Sequence, residues 1–320
     1  MLNSLQNKFY TNIKNLKKNH QLNNILVALS GGQDSLCLIK LIQNFKKKYK
    51  PLLKIHYIYI DHQWKIDSKK QVEHIINLIR NSENISIYQI PNITQSENKA
   101  RQLRYQIIIQ HAIKYKYPII ITAHTETDKI ETFLQQIIRG TSIDGATSMK
   151  NYRILNPKIH LWRPLLNFTR ADIKYFCRQL CLPIWSDITN YNFSINRNRL
   201  RYEFIPYLNK YFCNNIEKKI NAFLEISDLE NEYIKQNAIK LYLISRHKYN
   251  IAINYSLLKK QHKGLFARTL QIFFYHNINK CLTHKNINNI MTTIEKIDNK
   301  ITIIKDNNII IKLENNWLYL

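Results

Sequence analysis

Over the first half of the chain, apolar residues alternate between short β-branched runs and stretches with a helical repeat. Ile25 to Ile42 (ILVALSGGQDSLCLIKLI) reads as a strand, a tight turn and a helix, with Leu38, Leu41, Ile42 and Phe45 at i, i+3, i+4 and i+7. A second strand follows at Leu52–His62, then a helix carrying Val72, Ile75, Ile76 and Ile79 with Ser68 as its N-cap. Ile85–Ile90 is a third strand, Ser96–Tyr115 a helix, and Pro118–His124 a buried fourth strand. The next helix places Ile130, Phe133, Leu134, Ile137 and Ile138 on one apolar stripe, with Asp128, Glu131 and Gln135 opposite. Strands separated by helix-length crossovers imply an α/β fold with a doubly wound, mostly parallel, Rossmann-like sheet. The segment before Asn24 is basic and reads as an N-terminal helix, since it lacks the apolar region of a targeting signal. Residues 141–201 are loop-rich, with one helix capped by Thr169. Helical periodicity then covers about 215–247 and 257–277, and the runs ITIIK and NIIIKL around a DNN turn predict a terminal β-hairpin. The expected division is 1–210 for the sheet domain and 211–320 for a smaller, mainly helical domain ending in that hairpin.

The first strand-to-helix corner concentrates candidate chemistry. Only five glycines occur in the chain, and two of them, Gly31 and Gly32, are adjacent here. Ser30, Gln33, Asp34 and Ser35 complete the turn. Backbone N–H groups at a helix start suit phosphate, and the two serine hydroxyls add donors. Neither GxxxxGK[ST] nor GxGxxG is present, which argues against Walker-type hydrolysis and dinucleotide binding. Asp61 and His62 end the second strand, where a parallel sheet places ligand-facing groups; a plain polar strand end is the alternative. Arg101 and Arg104 share a helix face suited to phosphate or carboxylate, or to solvent. His124 ends the fourth strand beside the glycine turn, so Asp34 and Asp128 could share a metal or a cationic substrate.

Charge adds a partner. The chain has 48 Lys plus Arg against 22 Asp plus Glu, a net +26, which implies a large polyanion, although a composition rich in Lys, Asn and Ile inflates the excess. No apolar run approaches the ~20 residues of a membrane span. Five cysteines without a CxxC pair imply neither a disulfide framework nor a zinc ribbon, and suit a reducing compartment.

These residues resemble the tRNA(Ile)-lysidine synthetases of the PP-loop ATP pyrophosphatase group. SGGQDS (Ser30–Ser35) is similar to the SGGxDS pyrophosphate loop. Asp61 and His62 match the DH after the second strand, and Ala100, Arg101, Arg104 and Tyr105 match ARxxRY. His124, Asp128, Glu131, Thr132, Arg139, Gly140, Gly145 and Met149 follow the pattern HxxDDxxETxLxxLxRGxGxxGLxxM. Arg163, Pro164 and Leu165 fit RPL; Asp187, Asn190, Arg197, Asn198, Arg201 and Pro206 fit DxSNxxxxxxRNxxRxxxxPxL. Two positions depart: Thr127 replaces the first of the paired aspartates, and Lys129 replaces the following glutamine. The chain also resembles a short form, without the C-terminal domain of longer bacterial members.

The resemblance implies ATP-dependent ligation of free L-lysine to C2 of the wobble cytidine in tRNA(Ile) with a CAU anticodon, through an adenylated cytidine. It implies ATP and Mg²⁺, with catalytic roles for Asp34, Asp128 and Arg104, and nucleotide contacts from Ser30–Ser35, Asp61, His62 and His124. Asp34 is the implied Mg²⁺ ligand. Lysine and tRNA contacts fall to Arg101, Glu131, Arg139, Arg163, Arg197, Asn198 and Arg201, with Asp128 or Glu131 gripping the lysine ammonium. Lys129 is expected to bring positive charge toward the nucleotide. Alternatives are tRNA cytidine thiolation, which requires clustered cysteines, and a degenerate tRNA-binding module that has lost catalysis. The expected location is a plastid, organelle-encoded, or else the cytoplasm of an AT-rich bacterium.

Overall fold

The computed structural model describes residues 2–19, 23–61, 68–79, 83–90, 97–185, 193, 195–296, 302–306 and 309–320. They form two compact units, Met1–Leu224 and Glu225–Leu320. The first unit runs α1 (Leu2–Asn19), β1 (Asn24–Leu29), α2 (Gln33–Tyr49), β2 (Lys54–Asp61), α3 (Ser68–Ile79), β3 (Asn84–Gln89), α4 (Glu97–Lys114), β4 (Ile119–Thr122) and α5 (Glu126–Arg139). It continues through α6 (Ile143–Ala146), β5 (Tyr152–Asn156), β6 (Ile159–Trp162), α7 (Arg170–Gln179), α8 (Asn196–Arg199), a π turn at Leu200–Phe204, α9 (Ile205–Tyr211) and the start of α10 (Ile216–Ser245).

The sheet has six strands in the order β3-β2-β1-β4-β6-β5. All neighbours are parallel except β5 and β6. Sequence periodicity recovers the five helices and four strands up to Arg139 and the parallel sheet, but not β5–β6. That hairpin turns at Asn156–Pro157–Lys158 inside a stretch whose polar residues read as loop. Its inner strand is nonetheless core, with Ile159, Leu161 and Trp162 buried. Strand order reverses between β1 and β4, so their C-terminal ends diverge into a crevice, the position where open α/β sheets bind ligands.

Both faces are covered. Leu38, Leu41, Ile42 and Phe45 of α2 pack with Phe9, Ile13, Ile75 and Phe176 on one side. Leu26, Ile58 and Ile120 meet Ile108 and Ala112 of α4 on the other. Thr169 caps α7 through a reciprocal pair with Asp172, as its sequence position indicates. Near the far end of α4, His111 stacks on His56 and Tyr117 and hydrogen-bonds Tyr88 Oη at 2.9 Å. Burial, then His56 and Lys114, lowers its pKa from 6.5 to about 4. A histidine held neutral by the fold supports stability above the unfolded value and loses that contribution as pH falls from 6.5 toward 4. His111→Gln, which keeps a neutral hydrogen-bonding side chain, should flatten the loss of urea stability across that pH window.

The second unit comprises the rest of α10, β7 (Ala252–Asn254), α11 (Tyr255–Lys259), α12 (Lys263–Ile278), α13 (His284–Lys296), β8 (Thr302–Asp306), β9 (Ile309–Glu314) and β10 (Trp317–Tyr319). The expected hairpin is β8–β9, but it belongs to an antiparallel sheet of four strands, β7-β10-β9-β8. Phe266, Leu270, Phe273 and Phe274 of α12 pack with Ile287, Ile290, Ile311, Leu313 and Leu318.

Candidate active site

A cavity lies at the strand-order switch between β1 and β4. Ala28, Leu29, Ser30, Asp34 and Ser35 line one wall, Thr122, Ala123, His124 and Asp128 another, and Arg101, Arg104, Tyr105, Ile108 and Arg197 the remainder. Its volume is about 200 Å³. Aliphatic strand ends offer an apolar surface for a base, while three arginines and the helix start of α2 suit phosphate.

The SGGQDS turn is built by Gly31 and closed by its serines. Gly31 has φ +76°, and a Cβ there would lie 2.5 Å from Gln71 Nε2 and 3.1 Å from Ile75 Cδ1. Gly32 caps α2 without any side-chain cap, leaving the helix-start N–H groups for a ligand. Ser35 Oγ accepts from Ser30 N at 3.0 Å and lies 2.8 Å from Ser30 Oγ. The two hydroxyls thus brace the turn as well as border the cavity. Gly31→Ala should destabilise the protein by about 1–3 kcal/mol, through left-handed backbone strain and the clash with Gln71. Urea denaturation with and without ATP checks this, and the variant should also need more ATP.

Asp34 stands one residue beyond Gln33 in the first turn of α2, and its Oδ1 is buried without a hydrogen-bond partner. Burial first, then Asp128, raises its pKa to about 6 against the opposing fields of Arg170 and Arg201. A buried carboxylate oxygen without a hydrogen-bond partner fits a Mg²⁺ ligand. Among the described residues no three His, Cys, Asp or Glu side chains gather as a metal cage.

The opposite wall is an acid–arginine network. Thr125 caps α5, donating from its N–H to Asp128 Oδ2 at 2.8 Å and from its hydroxyl at 3.1 Å. Asp128 Oδ1 accepts from Arg197 at 2.5 Å and from Arg201 at 3.3 Å. Glu131, fully buried, accepts from Arg197 Nε at 2.6 Å, Arg201 Nε at 2.5 Å and Arg201 Nη2 at 2.9 Å. Burial pushes Asp128 upward, but Arg197, His124, the Thr125 N–H and Arg201 outweigh it and hold the carboxyl below its ordinary range. His124 accepts or donates at 2.9 Å with Thr122 Oγ1, and burial lowers its pKa to about 3, so it is neutral at physiological pH.

This network changes part of the expected orientation of α5: Ile130 of the apolar stripe is buried as expected, and Phe133 and Leu134 are half-buried. Ile137 and Ile138, assigned to the core stripe, are exposed, whereas Asp128 and Glu131, assigned to the outer face, are buried. Two arginines from α8 and the π turn compensate the acids, which periodicity within one helix does not reveal. Lys129 also departs from expectation: its ammonium donates to Asn221 Oδ1 at 2.6 Å, and it does not line the cavity. Thr127 instead borders a separate hollow of about 570 Å³ with Arg170, Arg201 and Lys210.

Of the other candidates, Asp61 is buried at the end of β2 and outside the cavity lining, and His62 lies outside the described residues, as do Asp187 and Asn190. Arg163 is buried and donates to the Lys150 carbonyl at 2.7 Å. Asn198 is buried in α8, and Arg139 borders another hollow. Sequence reading missed Thr122, Gln71 and Arg170. A threonine closing the run PIII was a usable signal for the first; only tertiary structure reveals the other two. The five cysteines are all free, with Cys37 and Cys177 buried.

The family model described as "PP-loop domain" matches residues 5–208. A chloroplastic tRNA(Ile)-lysidine synthase of Gracilaria tenuistipitata var. liui is 46% identical over 317 residues, covering 99% of this chain and 98% of that one. This chain belongs to the tRNA(Ile)-lysidine synthase family. A second chloroplastic member, from Pyropia yezoensis, is 37% identical and covers 96% of this chain and 93% of its own length. Among solved structures, a U34-tRNA thiolase (NcsA) from Methanococcus maripaludis with its [4Fe-4S] cluster has a TM-score of 0.56 at 15% identity, covering 70% of this chain and 78% of that one. That likeness concerns the fold. Membership in the PP-loop family implies use of ATP. Among the described residues, no helix is long and apolar enough to cross a membrane.

Proposed function

We propose that the protein ligates free L-lysine to C2 of the wobble cytidine of tRNA(Ile) with a CAU anticodon. ATP first adenylates the C2 oxygen with release of pyrophosphate; a lysine amine then displaces AMP, giving lysidine and changing codon reading from AUG to AUA. The observation that carries this reading is the crevice itself. It sets a turn suited to anions and an Asp34 carboxylate with one unpartnered oxygen across from an ionised Asp128 in a chain of this family.

Each wall has a role. The Gly31–Gly32 turn and the start of α2 stabilise charge developing on the departing pyrophosphate. Asp34 is the protein's Mg²⁺ ligand, and the metal when bound neutralises phosphate charge. Arg104, with Arg101 on the same face, holds the adenylate phosphate or the lysine carboxylate. Asp128 faces the cavity and remains charged, so it is the counter-ion for the lysine ammonium. Glu131, whose oxygens both accept from arginine, fixes Arg197 and Arg201 and so positions Asp128. The basic excess supplies affinity for the tRNA backbone and a steep salt dependence. The protein works in a plastid, a reading supported by two relatives named chloroplastic.

Lysine omission tests the order of steps. With ATP, Mg²⁺ and a CAU-anticodon transcript, pyrophosphate should appear in an amount close to the enzyme present, and lysine should then restore turnover. Release that does not require the tRNA would contradict the proposed adenylation of cytidine.

A further inference from the structure

Another hollow in the first unit shares no lining residue with the catalytic cavity. It is lined by Gln135, Ile138 and Arg139 of α5, Arg199 of α8, Phe204 of the π turn and Tyr207 of α9, with a volume of about 480 Å³. Resting on the assigned tRNA substrate, we infer that this hollow receives an unstacked nucleobase of the tRNA, with its phosphate on Arg139.

Three observations converge. First, the floor is apolar yet open to solvent: Ile138 is 71% exposed, Phe204 42% and Tyr207 53%. A surface that leaves such residues uncovered marks a binding face. Second, the aromatic patch continues along α9, where the Tyr207 and Tyr211 rings lie 4.8 Å apart and Tyr207 and Phe212 5.9 Å apart. Lys210 sits 4.9 Å over the Tyr211 ring. Aromatic faces interleaved with cations are what splayed RNA bases stack upon. Third, the polar groups suit a base edge bordered by phosphate. Gln135 and Asn196 each offer a donor and an acceptor, and Glu203, paired with Arg199 at 3.3 Å, accepts only. Arg139 and Arg199 outnumber that one acid, and the whole chain carries +26, so the face complements a polyanion rather than an acidic or apolar ligand.

Placement links the hollow to the active site. Ile138 lies ten residues beyond Asp128 on α5, about 15 Å along the helix at 1.5 Å per residue. The segment carrying Arg199 and Phe204 also carries Arg197 and Arg201, which hold Asp128. A base seated in the hollow therefore anchors the RNA beside the crevice without entering it, which makes Phe204 and Tyr207 positioning residues.

The test compares Phe204→Ala, Phe204→Leu and Phe204→Tyr with the unaltered protein, measuring KM for a CAU-anticodon tRNA transcript, KM for ATP, and Kd for the same transcript by filter binding. Loss of one stacked base corresponds to about a 5- to 150-fold weakening. Phe204→Ala and Phe204→Leu should both raise the tRNA KM and Kd by that factor, Phe204→Tyr should restore them, and KM for ATP should not move. A wild-type tRNA KM in Phe204→Ala, or in Phe204→Leu, which fills the hollow without a stacking face, would overturn the inference. Should the unaltered protein bind tRNA but incorporate no lysine, the proposed function fails while Kd still decides the fate of the base subsite.

Discussion

Glu131→Gln should lower the unfolding free energy by about 3–5 kcal/mol, the usual consequence of removing one partner from a buried ion pair. Glu131 is fully buried, and its two oxygens accept from both Arg197 and Arg201. Glutamine keeps the shape but leaves two guanidinium groups facing the single negative charge of Asp128. Urea denaturation reads the loss directly. Because the residues act as a unit, Glu131→Ala and Arg201→Ala should be strongly non-additive in a double-mutant cycle. The same variant separates two roles for the acid. If it melts like the unaltered protein but requires more lysine, Glu131 is a ligand group, and the positioning role assigned here is wrong.

Asp34→Asn should act in the opposite sense on stability while removing activity. Burial and the neighbouring Asp128 raise the Asp34 pKa from 3.8 to about 6. An acid whose folded value is raised binds its proton more tightly in the folded state, so stability falls as pH rises from about 4 to 6, and the deficit is complete above that window. Asparagine has no such deficit. The variant should therefore be more stable than the unaltered protein at pH 7.5 by about 1–3 kcal/mol, since one pKa unit corresponds to about 1.4 kcal/mol. The difference should vanish near pH 4. Turnover should fall at least roughly a hundredfold, because charge stabilisation by a metal ligand contributes several kcal/mol to the transition state. A site residue whose removal stabilises the fold is a stability–activity trade-off. Equal melting temperatures at pH 7.5, or near-normal turnover, would refute the assigned role.

The parallel half of the sheet was legible because each strand and helix there carries its own period, and because the turn at Gly31 must have positive φ, which glycine supplies. Ser30, Asp34, Ser35, Arg101, Arg104, His124, Asp128 and Arg197 do meet in one cavity although they span residues 30–197. What escaped the sequence depends on contacts between distant elements. The α5 stripe misassigned Ile137 and Ile138 because the partners that bury Asp128 and Glu131 arrive from Arg197 and Arg201, about seventy residues later. Lys129 follows Asp128 directly in sequence, but its charge is taken by Asn221, on α10. β5–β6 was hidden because a short hairpin around Asn156–Pro157 has few residues in which to display a period of two.

Incorporation of labelled lysine tests the central claim most directly. The protein is incubated with ATP, Mg²⁺, labelled L-lysine and tRNA transcripts that differ only in bearing a CAU anticodon or one with another wobble base. Label should enter the CAU transcript alone and only with ATP, and digestion should place it on the wobble nucleotide. Folded protein that binds the CAU transcript yet leaves it unlabelled would contradict the account.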